Sequence, residues 1–203
     1  MEDLFRSNLS ENQLSLLEEA LNSRASNLDR RIYSLADLDD YAHKSLVPIL
    51  RSIDETISCN EIHKSKRDHL LEHLGKAQVT VRRLRGLSKA LTKNNPLAEQ
   101  FIPISLLGAS GLNGPQMLKE SSKSDKIKDL VHKMASHAHS HLSMISPDPS
   151  DGLFIKLSAF GCQRYLTELQ KQNFDVCSTN VENIGSQKDG FLPIKLFFKS
   201  LFK

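Results

Sequence analysis

Leu38, Ala42, Leu46, Ile49, Ile53 and Ile57 recur at steps of 4, 4, 3, 4 and 4 residues. The spacing stays close to 3.6 and predicts a helix with one apolar face. Ser34 stands at its N-cap position. Pro48 lies inside the pattern and predicts a kink, because proline lacks the N–H a helix interior uses. Leu70, Leu74, Ala77, Val81, Leu84 and Leu91 form a second stripe, which predicts a helix from about Glu61 to about Leu91. Asn94-Asn95-Pro96 stops it, since the residue before proline avoids the helical region. Near the start, Ser10 and Gln13 are spaced as a capping box, with Leu14, Leu17 and Leu21 at helical spacing behind them.

A turn-like stretch covers Asn27 to Arg31. Residues 96–122 hold Pro96, Pro103 and Pro115 with Gly108, Gly111 and Gly114, and predict a loop with one or two short helices. Phe101, Ile102, Ile104, Leu106 and Leu107 need burial, so this loop belongs to the body of the protein. A further helix is expected over roughly Ser124–Ile145, ended by "SPDPSDG". Another begins at Asp151, with Leu153, Leu157, Phe160, Cys162 and Leu166 available for packing. The terminal "GFLPIKLFFKSLFK" predicts a short, very apolar helix. No period-2 alternation and no internal repeat stand out. The expected fold is all-α, an antiparallel helical array, with residues 1–203 as one domain.

Composition narrows the function classes. Charged residues are 25% of the chain and apolar ones 39%, ordinary for a globular protein. The net charge of +3 and 6% aromatics, with no RRM, KH or finger pattern and an acidic "DLDDYA", argue against nucleic acid as a partner. Cys59, Cys162 and Cys177 are far apart and form no C-x-x-C pair, so neither a disulfide framework nor a zinc ribbon is indicated. No apolar run approaches the roughly 20 residues of a spanning helix. The "MEDLFRSNLSENQ" stretch is acidic at Glu2 and Asp3, unlike a secretory signal or a mitochondrial presequence.

Three groups of residues invite a chemical reading. From His73 to Ala98 there is no Asp or Glu, while Lys76, Arg82, Arg83, Arg85, Lys89 and Lys93 are cationic. Such a run is usually a solvated face, here with Glu72 and Glu99 near enough to pair; alternatively it holds an anion. In "VHKMASHAHSHL", His137 and His141 share a helical face as two zinc ligands would. Ala138 stands where a metalloprotease would have glutamate, and no cysteine is near in sequence, so no metal ligand is expected. Cys162, in "AFGCQRYL", reads as a small core residue rather than a nucleophile. In the terminal segment Lys195, Lys199 and Lys203 share one face and the apolar residues another, the layout of an interfacial helix. Phe197, Phe198, Lys199 and Phe202 are its candidate membrane-surface contacts; docking on the core is the simpler reading.

Several of these segments resemble the squalene/phytoene synthase family. "HLGKAQVTVRRLRG" is similar to the family helix that reads approximately LGxALQLTNILRD, matched at Leu74, Gly75, Ala77, Leu84 and Arg85. "SLADLDDYAHKSLVPIL" resembles the preceding family helix, matched at Leu38 and Tyr41. "HLSMISPD" and "FLPIKLFFKSLFK" fall where the family has its last helices. "HLGKAQ", "MASHAHSHL" and "LPIKLF" resemble a non-catalytic branch that serves the assembly of mitochondrial respiratory complex I. The likeness runs from about Leu28 to the end.

What the resemblance implies is an isoprenoid-synthase-type helical fold, present here in part. The family holds substrate diphosphate through magnesium on two aspartate-rich motifs. The first would fall upstream of residue 1, so the N-terminal half of the family fold is expected to be missing. The second would fall on the helix around Gly75, where the cavity-facing positions become Val79, Arg82, Gly86 and Ala90. None of them is a carboxylate, and magnesium needs hard oxygen ligands. The resemblance therefore implies no catalytic residue, no metal and no cofactor. It implies a scaffold for complex I assembly on the matrix side of the inner membrane, with assembly intermediates, other assembly factors and the lipid surface as partners. Val79, Arg82, Arg85 and Gly86 are the candidate cavity or anion contacts. The competing expectation is an isoprenyl diphosphate transferase in which cations replace part of the metal charge.

Overall fold

The computed structural model describes residues 9–27, 30–57, 64–119, 124–145 and 153–184. Among these the regular elements are helices, with no strand. They are α1 (Glu11–Ser26), α2 (Leu35–Ser45), α3 (Val47–Ile57), α4 (Lys64–Thr92), a 3₁₀ turn (Pro96–Phe101), α5 (Ile104–Ser110), α6 (Gly114–Lys119), α7 (Asp125–Ser143), α8 (Leu153–Lys171) and α9 (Thr179–Asn183). The short α9 was not anticipated from the pattern.

Both expected caps form. Ser10 Oγ accepts from the Gln13 amide at 3.2 Å, and the Ser10 amide donates to Gln13 Oε1 at 2.9 Å. At α2 the Ser34 amide donates to Asp37 Oδ2 at 2.9 Å, and Ser34 Oγ accepts from the Asp37 amide at 3.1 Å. Each pair satisfies two amides that the first helical turn leaves open.

The apolar stripe from Leu38 to Ile57 does not survive as one face. Leu38, Ala42 and Leu46 are buried, but the chain steps out of α2 at Leu46, and Pro48 cannot donate to the carbonyl four residues back. After the break α3 buries Val47, Leu50, Ser52 and Asp54, leaving Ile53 37% and Ile57 59% exposed. On α1, Leu21 is likewise outside, and the buried positions are Gln13 and Ala20. Gln13 is buried because its amide donates to Ser52 O at 3.2 Å and Thr56 Oγ1 at 2.9 Å, joining α1 to α3. On α8 the buried set is Ile155, Cys162, Tyr165, Leu166 and Leu169. Leu153, about 200° around the helix from Ile155, faces out.

Helix α4 organises the rest. Leu70, Leu71, Leu74, Ala77, Val81, Leu84 and Leu87 are all buried, so the helix is covered on several sides, as a central helix must be. Its first half packs with Leu38, Ala42, Leu46, Leu50 and Ile155; its second half packs with Ile127, Leu130 and Met134 of α7 and Tyr165, Leu166 and Leu169 of α8. Each large side chain so buried contributes about 1.5–3 kcal/mol, as an upper estimate. At Gly75 a Cβ would stand 2.6 Å from Val47 Cγ2, so the start of α3 rests directly on the α4 backbone.

The proline- and glycine-containing stretch folds back on this core. Ile102 and Leu107 are buried, and Phe101 and Leu106 partly so. The amides of Ile104 and Ser105 donate to Ile32 O at 3.0 Å and Tyr33 O at 2.8 Å, tying α5 to the segment that leads into α2. Phe197, Phe198, Lys199 and Phe202 lie outside the described residues. No helix among the described residues is long and apolar enough to cross a membrane.

Candidate functional site

A cleft of about 570 Å³ opens between α1, α2, α4 and the 3₁₀ turn. Its walls carry Arg24, Arg30 and Arg31 from the end of α1 and the stretch before α2, and Arg82 and Arg83 from α4. Tyr41, Ser45, Asn27 and Gln100 add polar groups, and Val79 and Phe101 add apolar ones. None of the lining residues is Asp or Glu. Two arginines are tied down: Arg83 Nη1 donates to Gln100 O at 2.7 Å, and Arg31 Nη1 pairs with Glu99 Oε1 at 3.2 Å just outside the cleft. Burial draws Arg83 down from the usual guanidinium value, and Tyr41 partly opposes this; arginine keeps its charge across such shifts. The cleft is thus a concentration of positive charge with fork-shaped donors, suited to phosphate or carboxylate groups.

The four candidate contacts on α4 are divided by the structure. Val79 and Arg82 line the cleft. Gly86 is not among the lining residues; it lies behind Phe101, which is, and the ring is so close that a Cβ at Gly86 would collide with three ring carbons. Arg85 is not among the lining residues; its guanidinium stacks over Tyr165 of α8, 4.9 Å from the ring centroid. The run of cations is therefore not one face. Lys76 turns to Glu72 of its own helix, with Nζ 2.7 Å from Oε1. Arg24, Arg30 and Arg31 were missed as cleft residues. The Arg30-Arg31 pair is visible in the chain, but nothing local shows that it lines the same cleft as Arg82.

Magnesium, which the family fold implies, does not fit this cleft. A hard divalent cation needs carboxylate or carbonyl oxygens, and the side chains at hand are guanidinium groups that would repel it.

A second constellation lies across α2, α4 and α7. Asp39 of α2 meets both His137 and His141 of α7: His137 Nε2 is 2.8 Å from Oδ1, and His141 Nε2 is 3.1 Å from Oδ2. His141 Nδ1 in turn faces His73 Nδ1 of α4 at 3.0 Å. Burial pushes the Asp39 carboxyl up, but hydrogen bonds and charge from the two imidazoles outweigh it and hold the group well below the usual carboxylate range. Burial, with His69 and His141 nearby, lowers the basicity of His73. The pairing of His137 with His141 on one face is as the spacing indicates. Asp39, 98 residues before His137, has no local signal. Of the other histidines, His132 stacks on Phe174 at 4.6 Å and His139 is exposed.

Cys162 is buried in the core and its thiol is pushed up to about 11 by that burial, which removes it as a nucleophile. Cys177 is half-buried, with its thiol 3.9 Å from Ser88 O.

The family model described as squalene/phytoene synthase matches residues 6–186. Among curated proteins, the Rattus norvegicus protein named NADH dehydrogenase (ubiquinone) complex I, assembly factor 6 is 27% identical over 185 residues, covering 89% of this chain and 52% of the relative. The Homo sapiens protein of that name is 25% identical over 189 residues, 91% of this chain and 53% of the relative. A Drosophila melanogaster homolog is 28% identical over 172 residues, 83% and 48% respectively. The chain spans about half the length of the relatives it matches. No solved structure matches.

Proposed function

The chain belongs to the squalene/phytoene synthase family, and from that premise we propose that it is a non-catalytic member, a helical scaffold used in building mitochondrial respiratory complex I. The names of its relatives support the biological setting. The observation that carries the mechanism is the arginine-lined cleft. Family chemistry requires carboxylates to seat magnesium beside a diphosphate; here the corresponding helix presents Arg82 and Val79 to a cleft lined by five arginines and no acid. Such a surface binds and orients an anionic group without ionising it. The partner is an assembly intermediate or another assembly factor that presents acidic or phosphorylated groups, and Arg82 with its neighbours is the docking point. The place of action is the matrix side of the inner membrane, with residues 191–203 touching the lipid surface.

The test is native-gel analysis of complex I in cells lacking the gene, with rescue by this chain and by an Arg82→Glu/Arg83→Glu version. Loss of assembled complex I in the null cells, restored by the chain but not by the double variant, is the expected result. Normal complex I in the null cells removes the proposal. Turnover of an allylic diphosphate with magnesium by the purified chain would instead establish the transferase reading. Flotation with cardiolipin-containing liposomes tests the lipid contact: deletion of residues 191–203 should abolish it.

A further inference from the structure

The described helices bring Asp39, His137 and His141 together from two elements that lie far apart in the chain. Their ligand-capable atoms all lie within 4.8 Å of one another. In a tetrahedral zinc site, ligand atoms stand roughly 3.3 Å apart, given metal–ligand bonds of about 2.0–2.1 Å. The contacts of 2.8 Å and 3.1 Å from Asp39 are hydrogen-bond lengths. To hold an ion the two contacts must open by a few tenths of an ångström, while the widest pair of ligand atoms, within 4.8 Å, closes toward about 3.3 Å, both by side-chain rotation. The three side chains are 22%, 18% and 13% exposed for Asp39, His137 and His141, so an ion can enter from solvent and still be largely enclosed.

We propose that Asp39, His137 and His141 form a binding site for a divalent transition ion, zinc first, that fastens α2 to α7. Four features support it. His137 and His141 are one helical turn apart and direct the same ring nitrogen, Nε2, to the two oxygens of one carboxylate. The set is one carboxylate and two imidazoles, borderline donors that suit zinc, copper or nickel and not magnesium. One negative charge against a doubly charged ion leaves the site at +1, without burying a large excess of either sign. Finally, the site has an outer partner. When His141 Nε2 gives its lone pair to an ion, the ring's proton stands on Nδ1, and His73 Nδ1 is 3.0 Å away to accept it. A second hydrogen bond of this kind fixes the tautomer and ring plane of a metal-bound histidine. With three protein ligands, a fourth coordination position is left for water or for a side chain of a docked protein. The site is separate from the arginine cleft, so it stands or falls independently of the proposed assembly role.

The experiment uses the untagged full chain, freed of metal with a chelator and then titrated with zinc by calorimetry. Cobalt serves as a spectroscopic probe, since tetrahedral cobalt absorbs strongly in the visible. One zinc per chain is expected, with a tetrahedral cobalt spectrum and a Tm raised by about 5–10 °C when free zinc is some 100-fold above Kd. Asp39→Asn and His141→Gln should each lose binding by at least about tenfold, and His73→Phe should weaken it by about tenfold through loss of the outer hydrogen bond. His139→Gln, on the exposed side of α7, should leave it unchanged. The proposal is overturned if the wild-type chain takes up no stoichiometric zinc. It is also overturned if its cobalt complex is octahedral, or if His139→Gln lowers affinity as much as His141→Gln. The cobalt spectrum is read on the wild-type chain, so misfolding of a variant does not shelter the proposal.

Discussion

The Arg85 guanidinium lies over the Tyr165 ring, 4.9 Å from its centroid, and so belongs to the α4–α8 contact rather than to the arginine cleft. Arg82, three residues earlier on the same helix, lines the cleft instead. The two arginines should therefore separate in a binding assay. With inorganic pyrophosphate as probe at low salt, Arg82→Gln is expected to weaken binding about fivefold, the factor for ~1 kcal/mol at a solvated charge. Arg85→Gln should leave pyrophosphate affinity unchanged and lower Tm. Binding should also decline as salt is raised, because the cleft is open to solvent. Equal loss from both substitutions would mean that the cations act only through net charge.

Burial raises the proton affinity of two acids on α8. Desolvation lifts the Cys162 thiol from its ordinary 9.0 to about 11, and it lifts the Tyr165 phenol further above its usual value, with Arg85 opposing both. The folded state therefore holds protons that the unfolded chain has already released. Stability from this source is fully present below about pH 9 and is lost as pH rises through the folded values. Melting temperatures measured between pH 8 and 11 should fall, and Cys162→Ala and Tyr165→Phe should each flatten the decline. Tyr165 Oη has no hydrogen-bond partner among the described residues, so Tyr165→Phe should leave Tm at neutral pH unchanged or higher. Alkylation of the native chain at pH 8, mapped by mass spectrometry, should modify Cys177 and spare Cys162 until denaturant is added.

Arg67 Nε donates to Asp54 Oδ2 at 2.9 Å between α4 and α3, with the two side chains 11% and 8% exposed. Removing Arg67 takes a close partner from a carboxylate held in a dry setting. Arg67→Met should cost about 3 kcal/mol, a Tm drop of roughly 6–12 °C for a chain of this size. Adding Asp54→Leu to that variant should recover much of the loss, since an apolar pair of similar volume needs no desolvation. A double variant less stable than the single one would show that Asp54 works mainly through other contacts.

These cases show which parts of the molecule a reader of the sequence can reach. Local rules were enough for the caps at Ser10 and Ser34, for the α4 stripe and for the end of α4 at Asn95-Pro96, because each depends on residues within one or two turns. They failed where a break resets the helical phase: Ile53 and Ile57 match the period of Leu38 but stand on the far side of Pro48 and face out. They also failed where burial is decided by hydrogen bonding, as with Gln13 and Ser52. The candidate sites were half legible for the same reason. Arg82 and the His137–His141 pair can be picked out on their own helices. Their counterparts, Arg30, Arg31, Asp39 and His73, come from elements whose placement depends on the whole packing arrangement.

Gly86 offers a test of how Phe101 is seated at the edge of the cleft. Phe101 occupies the space that a side chain there would take, so the helix and the 3₁₀ turn meet backbone to ring. Two effects oppose each other in Gly86→Ala. The helix interior gains about 1 kcal/mol from losing a glycine, while forcing a methyl group into a packed contact costs about 1–3 kcal/mol. The ring lines the cleft, and the 3₁₀ turn that carries it is held by Arg83 through Gln100 O. A net loss of about 1 kcal/mol is expected, together with weaker pyrophosphate binding. In the Phe101→Leu background the collision is gone and the helical gain remains, so Gly86→Ala should become neutral or stabilising. That reversal of sign in a double-mutant cycle, read by thermal melts, would establish Gly86 as the seat of the Phe101 ring. The same destabilisation in both backgrounds would show that the glycine serves the helix in some other way.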